Sequence, residues 1–114
     1  MTSSMPSATS SAPQGEELLA ALARMETTVH AVRNAAGQGN TPELERELQA
    51  RQRCLRALMA AGSNQLVEDV VDAARRVLDA AAPEAPLLVL AMAWQSLASV
   101  VRRQATTRPW QSAA

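Results

Sequence analysis

Apolar residues recur along this chain at helical rather than strand spacing. Leu18, Leu22, Met25, Val29, Val32 and Ala36 follow one another at steps of four, three, four, three and four, which puts them on one face of a helix starting at Gln14. The cluster GQGN at Gly37 to Asn40 ends that helix, because glycine accepts the left-handed conformation common just past a helix end. Thr41 is placed to cap a second helix, Pro42 suits its first position, and Glu43 and Glu45 favour the positive end of its dipole. The seam of this helix reads Leu44, Leu48, Arg51 or Gln52, Leu55, then Leu58 or Met59, and Gly62 with Ser63 is expected to close it and open the next. A third helix near Asn64 to Ala82 presents Val67, Val70, Val71, Ala74, Val77, Leu78 and Ala81 to the core, with Asp72 set to pair with Arg75 and Arg76.

Pro83 and Pro86 interrupt the path, and a fourth helix runs from about Pro86 to Gln104. It carries a heptad stripe of Leu87, Leu90, Trp94, Leu97 and Val101 and a second apolar margin at Leu88, Val89, Met92 and Val100. That is more apolar girth than one buried face requires. The expected fold is all-α, a small antiparallel bundle of about four helices joined by short connections. Residues 1–13, made mostly of Ser, Thr, Ala and Pro, read as a disordered leader. Residues 14–105 then form the bundle domain and 106–114 a flexible tail.

Composition narrows the functional classes. The 114 residues suit one domain, and 11 basic residues against 11 acidic ones give no net charge. Every basic residue is an arginine, and four of the 11 fall between Asn40 and Asn64. Arg46, Gln49, Arg53 and Arg56 share a face that resembles a base-reading helix, but Glu43, Glu45 and Glu47 flank it, so no nucleic-acid partner is expected. Arg51 lies near the apolar seam, where it either meets a carboxylate or lays its stem on the core and extends its head to water. The one cysteine, Cys54, has no adjacent base to make it a nucleophile and reads as a packing residue. Glu26 and His30 stand one turn apart without a second histidine, so no metal is expected. No phosphate loop or GxSxG motif is present, and neither enzymatic activity nor a cofactor is expected. MTSSMPSATSSAPQG lacks a basic start and an apolar stretch, and the longest apolar run, Pro86 to Trp94, falls short of the roughly 18 residues that span a bilayer. A cytoplasmic protein without membrane insertion is expected.

The first two helices, EELLAALARMETTVHAVRNAAGQGNTPELERELQARQRCLRALMAAG, resemble the first hairpin of the flagellar export chaperone FliT family. The resemblance rests on a leucine-patterned helix ending in an Ala/Gly turn, then a leucine, an xxRQxxL segment and a closing leucine, here Leu44, Leu48, Arg51, Gln52, Leu55 and Leu58. It implies a four-helix cytoplasmic chaperone that binds the C-terminal segment of the filament-cap protein before export, with a last helix able to mask the binding surface. On that reading the partner is an amphipathic helix of an exported protein, and Leu87, Leu90, Trp94 and Leu97 line or cover its groove. Two alternatives stay open: an accessory subunit or needle co-chaperone of a virulence type III secretion system, and an exported helical substrate. An apolar fourth helix can pack within one bundle or join two, so a homodimer is also open.

Overall fold

A computed structural model describes residues 11–106, with side chains from Gly15 onward. The chain forms α1 (Ser11–Asn34), α2 (Pro42–Leu58), a single 3-10 turn (Ala61–Ser63), α3 (Asn64–Asp79) and α4 (Glu84–Thr106). No strand occurs among the described residues, and the helices pack as an all-α bundle. Helix α1 touches each of the other three, α3 and α4 form the most extensive pair, and α2 and α4 lie across the diagonal. Positions 11–13, assigned above to the leader, belong to α1, while 1–10 and 107–114 lie outside the described residues.

The core is built from the stripes that the periodicity defines. Leu18, Leu22, Met25, Val29 and Val32 of α1 meet Leu48 and Leu55 of α2, the valines of α3, and Leu90, Leu97 and Val101 of α4. All of these are at most 5% exposed, so each contributes roughly 1.5–3 kcal/mol of burial before chain entropy is counted. Two stripe positions lie beyond the helices: Ala36 in the turn after α1, half-buried, and Ala81 in the exposed connection after α3.

Thr41 caps α2 as its sequence position suggests, accepting from the Leu44 N–H at 3.2 Å. The far end of α2 differs from expectation. The helix stops at Leu58, because Met59 takes an extended conformation and turns its side chain into the core. Gly62 therefore caps nothing and sits inside the 3-10 turn. The hydroxyl of Ser63 accepts a bond from Gln104 Nε2 at 2.9 Å, tying the end of α4 to the start of α3. Helix α4 begins at Glu84, two residues before Pro86, with the Leu87 N–H bonded to Pro83 O at 2.8 Å. Proline is tolerated there because the first turn has no helical acceptor for its missing N–H.

The glycine turn after α1 has a second role. Gly37 and Gly39 have φ of 77° and 92°, and their N–H groups donate to Val77 O at 2.9 Å and Leu78 O at 2.7 Å. The turn that ends α1 thus also satisfies the last carbonyls of α3, which would otherwise lack partners. A Cβ on Gly37 would stand 3.1 Å from Ala80 O. Gly37→Ala is expected to destabilise the protein by about 1–3 kcal/mol in urea unfolding. Gly62→Ala, in open space, should change stability by less than about 0.5 kcal/mol. Equal effects of the two would contradict this assignment of the caps.

Helix α4 is longer than the apolar run within it. Its 23 residues reach, by length and composition, what a bilayer crossing requires. In this fold, Leu90, Leu97, Ala98 and Val101 commit one of its faces to the bundle core.

Candidate partner-binding surface

The two apolar stripes of α4 separate into an inner and an outer set. The heptad stripe faces inward: Leu90 and Leu97 are 1% and 0% exposed, and Leu87 and Trp94 are half-buried against the core. Of the four residues expected to line or cover a groove, Leu90 and Leu97 are therefore sealed core residues, unable to meet a guest while the bundle is closed. The outer margin lies at the surface instead. Leu88 and Met92 are each 68% exposed and Val89 is 52% exposed, whereas Val100, from the same margin, is half-buried. Three large apolar side chains within two turns of one helix form a patch for which the bundle itself has no use.

Beside this ridge runs a groove between α3 and α4. Its main part, about 360 Å³, is lined by Leu66, Asp69, Asp72, Ala73 and Arg76 from α3 and by Val89, Met92, Ala93 and Ser96 from α4. A smaller extension of about 200 Å³ continues past Ala73, Arg76, Ala85, Pro86 and Val89. From Ala85 to Ser96 the trough follows α4 for about 16 Å, three turns of a helix. The rim is charged but lightly engaged. Asp69 accepts from Gln65 Nε2 at 2.8 Å, Asp72 lies 3.9 Å from Arg75, and Arg76 is exposed. The pairing expected between Asp72 and both arginines thus forms only with Arg75, and loosely.

The arginine-rich helix α2 holds the bundle together. Glu45 receives Arg75 Nη2 at 2.6 Å and Arg75 Nε at 3.1 Å, together with Asn40 Nδ2 at 2.7 Å and Gln49 Nε2 at 2.9 Å. Hydrogen bonding from Arg75, helped by Asn40 and Gln49 and opposed by desolvation, holds the Glu45 carboxyl down at about 2. Further along, Glu68 of α3 accepts from Gln52 Nε2 at 2.8 Å and pairs with Arg56 at 3.0 Å. Two members of the face that resembled a base reader, Gln49 and Arg56, are thus turned to contacts within the chain.

Arg51 is half-buried and meets a hydroxyl rather than the carboxylate of another helix. Its Nε donates to Thr28 Oγ1 at 3.3 Å, and Thr28, 1% exposed on α1, also lies 3.3 Å from Glu47 Oε1. The hydroxyl links α1 to Arg51 and Glu47, which meet through it rather than as a direct pair. The RQ dipeptide of the family-like segment therefore anchors two neighbours, Arg51 to α1 and Gln52 to α3.

A second depression of about 330 Å³ lies between α1 and α2, lined by Glu17, Ala20, Arg24, Cys54, Ala57 and Leu58. Cys54 is half-buried there. Glu26 and His30 are both exposed on α1, and no group of three or more metal-ligating side chains occurs among the described residues.

The α3 half of the groove does not stand out in the sequence. Leu66, Asp69, Ala73 and Arg76 fall at steps of three and four along α3, a signal that is present but masked by the stronger valine stripe. Compared with known proteins, the chain matches no family model, no curated protein and no solved structure.

Proposed function

We propose that this protein is a binding module for an amphipathic helix, seated in the groove between α3 and α4 against Leu88, Val89 and Met92. The observation that supports this reading most is the apolar ridge of α4 left outside the bundle beside a trough of helical length. A guest helix with apolar residues at steps of three and four would bury its stripe on Leu66, Ala73, Val89 and Met92, leaving its flanks to the charged rim. Together with the resemblance of the first hairpin to the FliT family, the reading becomes a cytoplasmic export chaperone, with the C-terminal segment of a flagellar filament-cap protein as its client. The α1–α2 hairpin is then scaffold, and α4 supplies the contact surface with its outer side rather than with the stripe that contains Trp94.

The test is titration of a labelled peptide, the C-terminal segment of the filament-cap protein of the same organism, into the full chain. Binding in the micromolar range is expected, and Met92→Asp should weaken it about tenfold or more while leaving the helix content unchanged. If the peptide fails to bind, the export-chaperone reading falls. If it binds wild type and Met92→Asp alike, the groove is not its seat.

A further inference from the structure

The groove face is self-complementary, and we propose that it also joins two copies of this chain in a reversed, twofold-symmetric pair. Such a pair goes beyond the client reading and does not depend on it.

The charges of the rim lie along α3, with Asp69 and Arg76 seven residues, about two turns, apart. Ala73, Arg76 and Val89 line both parts of the groove, so this stretch of α3 runs beside Val89 of α4, and the level of Ala73 and Val89 serves as the reference height on the antiparallel pair. On α3, Asp69 and Arg76 lie on opposite sides of that height, each about 5 Å from it along the helix. On α4, Leu88 and Met92 bracket the same height.

A twofold axis in the plane of the face, across the helices at this level, lays α3 on the partner's α3 and α4 on the partner's α4, each pair running in opposite directions. Asp69 then faces the second copy's Arg76, and Arg76 faces its Asp69. Leu88 faces Met92, and Met92 faces Leu88. Asp72, near the axis, has the incoming Arg76 within a turn to offset its own symmetry mate. One operation sets Asp69 against Arg76 at two symmetric places and covers the ridge, while the two Asp72 carboxylates, each 3.9 Å from Arg75 of its own helix, remain near the axis. The face is short, about 16 Å along α4, and falls at the small end of protein interfaces, so the pair should be weak, with a Kd of about 1–100 µM. Dimerisation covers the surface that a client would use, so the two occupants exclude each other.

The experiment is sedimentation velocity on the full chain from about 1 to 300 µM, a range set to bracket that Kd. Wild type should pass from monomer to dimer. Asp69→Arg and Arg76→Asp should each weaken the dimer about tenfold or more, because each places like charges opposite one another twice. An equimolar mixture of the two single variants should recover wild-type affinity to within about threefold, since both heterologous pairs are then opposite in sign. Leu88→Arg, at a position 68% exposed, removes the apolar contact independently and should abolish the dimer. A wild type that stays monomeric throughout overturns the proposal, as does a mixture no tighter than its components or a Leu88→Arg variant with wild-type affinity. Circular dichroism of each variant confirms its helix content. A dimer that forms as described while the filament-cap peptide fails to bind leaves this inference standing and removes only the client reading.

Discussion

Leu97→Ala is expected to destabilise the protein by about 2–5 kcal/mol, the range for deleting a large aliphatic side chain from a packed core. Leu97 is 0% exposed on the inner stripe of α4, among the core residues shared by α1, α3 and α4. For a domain of this size, such a loss is a large part of total stability and should lower Tm by about ten degrees or more. Met92→Asp, one and a half turns away on the outer face, should change stability by less than about 0.5 kcal/mol. Thermal and urea unfolding of the two variants therefore separate the core stripe from the surface ridge. If Leu97→Ala were as stable as wild type and lost only binding, the inner stripe would be the contact surface, and α4 would have to be turned about its axis.

The second large effect belongs to Glu45. Its carboxyl has an ordinary value of 4.5 and stands at about 2 in the fold, chiefly because of the hydrogen bonds from Arg75. A depressed carboxylate contributes stability that is present in full above the unfolded value and is lost as pH falls through the window from about 4.5 to about 2. Across that window the unscreened contribution is about 1.4 kcal/mol for every pH unit, and with the side chain 28% exposed, solvent screening reduces the total to about 1–2 kcal/mol. Glu45→Gln should therefore be less stable than wild type by about that amount at pH 7, and the gap should close as the pH is lowered through this window. Urea unfolding at pH 7, 4 and 3 measures it. A gap that stays constant across the series would mean that Glu45 acts through packing alone.

The helices and their inner faces were legible in the sequence because burial selects side chains at steps of three and four, and the stripes led by Leu18, Val67 and Leu90 carry that period without interruption. Helix ends were less legible. Gly62 has the residue type of a cap, yet α2 ends where the burial of Met59 pulls the chain out of helical path, a tertiary cause that no local pattern records. The polar clamps were illegible for the same reason: Arg75 lies 30 positions from Glu45, and Thr28 lies 23 from Arg51.

For the proposed binding surface, the sequence supplied the helix and both of its apolar stripes. Choosing the outer one needed the neighbours of α4 in space. The stricter heptad stripe, taken as the groove, is strict because it packs inside the bundle. Leu88, Val89 and Met92 are left over once that packing is complete, and the residues opposite them on α3 become part of a site only when α3 and α4 lie side by side.

The proposed function depends on the outer face of α4, with the neighbouring side of α3, being where this protein meets its partners. Hydrogen exchange measured with and without the filament-cap peptide, at a protein concentration low enough to keep the chain monomeric, tests it most directly. New protection should be confined to Leu66–Arg76 and Ala85–Ser96, with exchange elsewhere unchanged. Protection centred on Glu17–Arg24 and Cys54–Leu58, the depression between α1 and α2, would contradict that placement.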